Sequence, residues 1–344
     1  MFHYRTQGYN GYAVKYSSFF DNRLACAASA NFGLVGNGRL YILGLTPGGI
    51  VGEKWFDTQD GLFDLTWSEI HENQLVVASG DGSVKLFDIM VKDSFPIQNW
   101  QEHQREVFSV SWNLVDKNTF CSSSWDGTVK IWSPIHPTSL LTLPTNSCTY
   151  SSAFSPHSTH LVSCVSSDSF LRIFDLRIPQ ATPLPPSTAQ PVPAKPAIQI
   201  HVPGNAELLT HDWNKYRPEV LATGGVDKVI RVFDVRGATG SVSELRGHEY
   251  AIRKVCWSPH WAGVLMSGGY DMSIRIWEDG CGGGMGGGMS GGGGRLLGVM
   301  DKHTEFVAGL GWCLFGGGGW AASAGWDEGV WVWDANQVVA GMRR

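Results

Sequence analysis

Three sets of four residues in this sequence carry the groups of a hydrolase: His103, Ser122, Asp126 and Trp132; His248, Ser267, Asp271 and Trp277; His303, Ser323, Asp327 and Trp333. In each, the His stands nine residues before a Trp (Trp112, Trp257, Trp312), and the Ser stands four residues before the Asp. A hydroxyl, an imidazole and a carboxylate are the groups of acyl transfer, and a triad is defined by geometry rather than chain order. Two features point away from catalysis. An enzyme needs one site, and this set occurs three times at offsets equal to within one residue. The fourth member, an indole, offers only a donor N–H, which suits a hydrogen-bond chain stapling strands together. No Gly-x-Ser-x-Gly elbow surrounds any of the three serines.

The elements that position these sets repeat as well. Asp81 to Phe87, Asp126 to Trp132, Asp168 to Phe174, Asp227 to Phe233, Asp271 to Trp277 and Asp327 to Trp333 share one phrase, with a weaker first copy from Asn37 to Leu43. The closing residues are spaced 44, 45, 42, 59, 44 and 56 apart. Each long step contains one biased insert, residues 179–196 with seven Pro or residues 280–294 with eleven Gly. Val84-Lys-Leu-Phe87 and Val129-Lys-Ile-Trp132 alternate as strands do, and Asp-Gly ahead of them marks a hairpin turn. Further strands end at Trp67, Trp112, Trp257 and Trp312. A period of 40–45 residues closing on an aromatic is the WD40 signature, one four-stranded blade per repeat.

The expected fold is therefore all-β, a single seven-bladed WD40 β-propeller over residues 1–344. Residues 2–6 should supply the outer strand of the last blade and close the ring, leaving no sheet edge exposed. The triplicated set resembles the Ser–His–Asp–Trp network of WD40 blades. Blades one, two, four and five carry Gln7, Thr58, Thr145 and Gly204 at the His position. They should rely more on apolar packing and be the less stable. The Gly-rich insert lacks the Lys and Ser/Thr of a phosphate loop and reads as a surface loop. The Pro-rich one reads as a solvated spacer, with Pro183-Leu-Pro-Pro186 the segment that a polyproline-reading groove would take.

Composition excludes several classes. Apolar residues are 43% and aromatic ones 12% of 344, enough for a large core and too much for a disordered chain. A net charge of −5 does not suit a general nucleic-acid binder. Seven cysteines without a CxxC pair argue against a disulfide framework and a zinc site, and no residue pattern calls for a metal or any other cofactor. Neither a signal-peptide core nor a membrane span is visible, so a reducing, cytoplasmic compartment is expected.

In a WD40 blade the His loop and the Asp turn emerge on one face. Just beyond the His positions lie Asp60, Glu106, Glu207, Glu249 and Glu305, and just before the turn Asp stand Trp125, Tyr270 and Trp326. A rim of carboxylates and large aromatics suits a cationic peptide with apolar side chains, steered by charge and anchored by the rings. Arg105 and Arg253 lie near the same loops and would neutralise part of this rim.

Several segments are more specific than the repeat. Tyr12-Ala-Val-Lys-Tyr-Ser-Ser-Phe19, Arg23-Leu-Ala-Cys-Ala-Ala28, Phe32-Gly-Leu-Val-Gly-Asn-Gly38, Gly61-Leu-Phe-Asp-Leu-Thr-Trp-Ser-Glu69, Gly247-His-Glu-Tyr-Ala-Ile-Arg-Lys-Val255 and Tyr270-Asp-Met-Ser-Ile-Arg-Ile-Trp277 resemble the peroxin-7 family. These are WD40 import receptors for the type 2 peroxisomal targeting signal. The resemblance spans nearly the whole chain apart from the two inserts. It implies a non-enzymatic cargo receptor for an N-terminal helical nonapeptide, Arg-Leu-x5-His-Leu, on peroxisomal matrix enzymes. It further implies a co-receptor protein, delivery to the peroxisomal docking machinery, and cycling between cytoplasm and peroxisome. The signal's Arg would then meet one of the rim carboxylates. Two other classes compete. A WD40 adaptor, such as the substrate-recognition subunit of a ubiquitin ligase, would show no preference for that peptide. A propeller enzyme would need one unique polar cluster rather than a set repeated by blade.

Overall fold

The computed structural model describes residues 1–178, 195–237, 240–281 and 293–342. They form seven four-stranded antiparallel sheets, each ordered a-b-c-d from the axis outward. The innermost strands are Asn10–Tyr16, Leu62–Trp67, Val107–Trp112, Thr149–Phe154, Leu208–Trp213, Ile252–Trp257 and Val307–Trp312 for blades one to seven.

Both faces of a blade are apolar because each packs against a neighbour. In blade two, Leu75, Val77 and Phe87 join Leu40, Ile42 and Phe56 of blade one in one core. The alternate residues Val76, Ala78, Val84 and Leu86 join Val107, Val110 and Phe120 of blade three in the next. Period-two side-chain alternation thus feeds successive inter-blade wedges, and near-continuous apolar strands result. The core is a circle of such wedges around a channel.

The ring closes through Phe2–Arg5, which pairs antiparallel with Gly329–Asp334 in register Phe2 to Val332 and Arg5 to Gly329. The strand stops one residue short of the expected bound. Thr6 still donates its N–H to Glu328 (2.8 Å), but its hydroxyl turns to the carbonyl of Tyr9 (2.6 Å) and starts the bend into blade one. A helix at Ala335–Met342, absent from the sequence reading, follows the last strand. Asp334 accepts the Asn336 N–H at 2.9 Å, and Val338 seats against Gly298 of blade six, where a Cβ would lie 3.0 Å from it.

Antiparallel order fixes two faces. The d-to-a crossings and b–c turns share the upper face, while the a–b and c–d connections share the lower one. Most of the two inserts, residues 179–196 and 280–294, lies outside the described residues. Their described flanks, Ile178 and Lys195, and Cys281 and Gly293, stand in c–d connections.

Candidate functional site

The three polar sets assemble as closed chains. In blade three, His103 Nδ1 lies 2.8 Å from Asp126, His103 Nε2 lies 2.8 Å from Ser122 Oγ, and the Trp132 indole donates to that oxygen at 2.7 Å. Blade six repeats this with His248, Asp271, Ser267 and Trp277 at 2.8, 2.6 and 2.8 Å. Blade seven does so with His303, Asp327, Ser323 and Trp333, the longest link being the indole's at 3.3 Å. An ionised carboxylate only accepts, so it takes Nδ1–H, leaving Nε2 to accept from the serine while the serine accepts from the indole. Every atom of the would-be triad is spent, and Ser122, Ser267 and Ser323 are fully buried. Burial pushes the Asp126 carboxyl upward, but His103 and Thr128 outweigh it and hold it at about 2.

Three of the four blades without the His, blades two, four and five, fill its place with charge, which corrects the expectation of mainly apolar packing there. Asp81 binds Lys85 at 2.7 Å, and Asp168 and Asp227 bind Arg172 and Arg231, each four residues on. Lys85, Arg172 and Arg231 are all buried.

The upper face is shaped by one irregularity repeated in every blade. The register of each inner strand slips near its start, at Tyr12, Phe63, Phe108, Tyr150, Leu209, Arg253 and Ala308. A bulge re-aims its side chain, and these seven converge on the channel mouth, leaving a cavity of only about 10 Å³. Their rings continue into the turn aromatics. Trp125 stacks on Phe108 (centroids 4.4 Å), Phe108 on Phe63 (4.7 Å), and Phe63 meets Tyr12 edge-on (5.0 Å). Trp326 contacts Tyr12 (5.6 Å), Phe32 (5.6 Å) and Phe306 (5.2 Å), and Tyr270 stacks on Phe306 (4.6 Å). Trp125 and Tyr270 are therefore the ends of a continuous belt, and Trp326 is a joint within it. Sequence reasoning missed its inner members, although doubled apolar residues such as Leu62-Phe63 and Val107-Phe108 break strand alternation where the bulges fall.

All five carboxylates stand in d-to-a crossings, on this same face, but they are not equivalent. Asp60 accepts the N–H of Gly61 at 2.7 Å and braces its own loop. Glu106 lies 3.6 Å from Arg105, whose guanidinium also covers the Trp125 ring. Glu207 accepts the Tyr150 hydroxyl at 3.0 Å. Glu249 and Glu305 are exposed, and no cation or donor among the described residues meets their carboxylates. The electronegative edge is thus narrower than five acids, and it flanks Tyr270, Phe306 and Trp326. Arg253, nearly buried, lies 5.8 Å from the Phe108 ring and marks the opposite charge at the mouth. Among the described residues, no cluster of His, Cys, Asp or Glu forms a metal site, and no helix is long and apolar enough to cross a membrane.

The amino-acid sequence is similar to those of known proteins. The WD domain, G-beta repeat family model matches residues 94–133, 137–175 and 240–278. The peroxisomal targeting signal 2 receptor of Saccharomyces cerevisiae is 42% identical over 387 residues, covering 97% of this chain and 99% of the relative. Its namesake in Komagataella phaffii is 40% identical, covering 98% and 100%, and the Homo sapiens protein is 37% identical, covering 89% and 87%. With this identity along nearly all of its length, the chain belongs to the family of peroxisomal targeting signal 2 receptors.

Proposed function

We propose that this chain is a non-enzymatic cargo receptor that holds the type 2 peroxisomal targeting signal against its upper face. The observation that carries this is the pairing of an aromatic belt with two unpartnered carboxylates, Glu249 and Glu305, at one edge of that face. An amphipathic signal helix lays its leucines on the rings around Trp326 and Phe306, and its Arg and His face the acids, in the helix-in-groove manner. Glu106, Glu207 and Asp60 contribute to the field rather than to direct pairs, because their own chain already engages them. Peptide release to the peroxisomal import machinery, with a co-receptor completing the helix's outer side, fits a face that covers one side of a helix only. The same proposal places the chain in the cytoplasm when it loads cargo. The polar sets serve the scaffold, since their serines are sealed.

Fluorescence anisotropy with a labelled Arg-Leu-x5-His-Leu peptide, against the same peptide with its Arg replaced by Ala, tests the proposal. Preference for the intact signal, weakening as salt rises, is expected. Equal binding of both peptides would favour an adaptor of another kind.

A further inference from the structure

Below the aromatic plug the channel widens into a cavity of about 240 Å³ that reaches the lower-face residues Leu114, Pro156, Pro259 and Leu314. Nothing in the proposed function uses it. Its inner end carries three charges from three blades. Lys15 Nζ lies 3.6 Å from one oxygen of Asp64, and Lys254 Nζ lies 4.0 Å from the other. Neither distance is a hydrogen bond. The two oxygens of Asp64 are instead taken by the backbone N–H of Leu65 (3.0 Å) and of Val110 (3.1 Å). An ammonium has three donors and no acceptor, so two largely desolvated ammoniums face the cavity with donors unspent.

The other two carboxylates of the wall, Asp212 and Glu69, are engaged elsewhere. Asp212 is bound to Lys215 at 2.7 Å and accepts the Trp257 N–H at 2.8 Å. His211, which also lines the cavity, keeps a buried Nδ1 without a partner. Glu69 accepts the Ser18 hydroxyl at 2.7 Å and lies 3.9 Å from Lys117, so the excess positive charge is confined to the inner end, where Lys15 and Lys254 share Asp64. Part-buried charges are costly unless their donors are used, and a bound anion would take the donors that the shared Asp64 leaves unspent.

We infer that the lower channel is a binding site for a phosphate-class oxyanion, held by Lys15 of blade one and Lys254 of blade six. A tetrahedral dianion offers several oxygens to ammoniums approaching from different blades, and its bound form ties together blades on different sides of the ring. Plugged above by the bulge residues, the site is reached from the face opposite the signal.

Inorganic phosphate is the probe, followed by its ³¹P resonance with the full chain at constant ionic strength. Line broadening in the unmodified protein is expected, reversed by sulfate but not by chloride. Lys15→Gln and Lys254→Gln each should weaken binding about tenfold, as loss of a charge-assisted bond does. Asp64→Asn, which removes the competing carboxylate, should tighten it several-fold, an effect that a merely structural role for Asp64 does not give. No broadening in the unmodified protein, or equal reversal by chloride, would overturn the inference, as would unchanged binding in both lysine variants.

Discussion

His211 of blade five reaches Ser163 of blade four, with Nε2 2.7 Å from Oγ, and the Trp213 indole donates to the same oxygen at 2.7 Å. Strand registers show how unusual this pair is. The positions equivalent to Ser163 hold Ala25, Val76, Cys121, Ala222, Met266 and Ala322, and those equivalent to His211 in the other blades are mostly Val or Leu. Blades four and five, which lack the His–Asp staple within a blade, carry one between blades.

This pair makes an acid-stability prediction. Burial, reinforced by Lys254 and Lys215, pushes the His211 imidazole down to about 3. Unfolded, it titrates near its ordinary value of about 6.5. The unfolded chain therefore binds the extra proton between those values, so stability rises with pH across this window and is lost on acidification. The slope approaches about 1.4 kcal/mol per pH unit from this one group. Urea midpoints at pH 7 and pH 5 should differ clearly less in a Ser163→Ala/His211→Leu variant than in the unmodified protein. Ser163→Ala alone should cost about 2–4 kcal/mol at pH 7, because it strands both His211 and Trp213.

The turn aspartates should differ in a predictable order. Asp271 holds the Nδ1–H of His248 and the N–H of Glu249, both of which lose their acceptor in Asp271→Ala. Asp227 holds Arg231, which in Asp227→Ala keeps Glu244 at 3.2 Å. Equilibrium denaturation should show a loss of about 2–4 kcal/mol for the first and roughly half of that for the second. Equal losses would mean that the His chain and the ion pair are interchangeable staples.

Turn backbones give a third prediction. The residue after each turn Asp is left-handed, with Gly82 at φ 82° and Gly127 at 78°, but also Ser169 at 65°, Lys228 at 68° and Met272 at 62°. A side chain there costs about 1–2 kcal/mol. Met272→Gly should therefore stabilise the chain by about 0.5–1 kcal/mol, after the entropy that glycine loses on folding. Gly82→Ala should destabilise by more, since its Cβ would meet the His103 carbonyl at 2.7 Å. Thermal midpoints read both.

Seven blades and the three staples were legible because each follows from short spacing within a repeat, and the N-terminal closing strand because the last blade otherwise lacks its outer strand. The belt was only half legible. Trp125, Tyr270 and Trp326 stand at a marked turn, whereas Tyr12, Phe63, Phe108 and Tyr150 act through bulges that period-two counting smooths over. The five acids were placed on one face by repeat position alone. Which of them stay unpartnered depends on contacts such as Tyr150 with Glu207, between blades four and five. The Ser163–His211 pair and the channel lysines were invisible for the same reason: each joins residues dozens or hundreds of positions apart. The final helix, eight residues rich in small and β-branched types, gave no periodic signal, and its packing on blade six decides it.

Charge exchange between the signal and Glu249 and Glu305 is the decisive measurement. Affinity for the Arg-Leu-x5-His-Leu peptide and for its Arg→Glu form is measured on the unmodified protein and on Glu249→Lys/Glu305→Lys. Binding should be at least about tenfold weaker when only one partner is reversed, and should recover substantially when both are. Unchanged affinity in the double Lys variant, or no recovery with the reversed peptide, would contradict the placement of the signal on this edge.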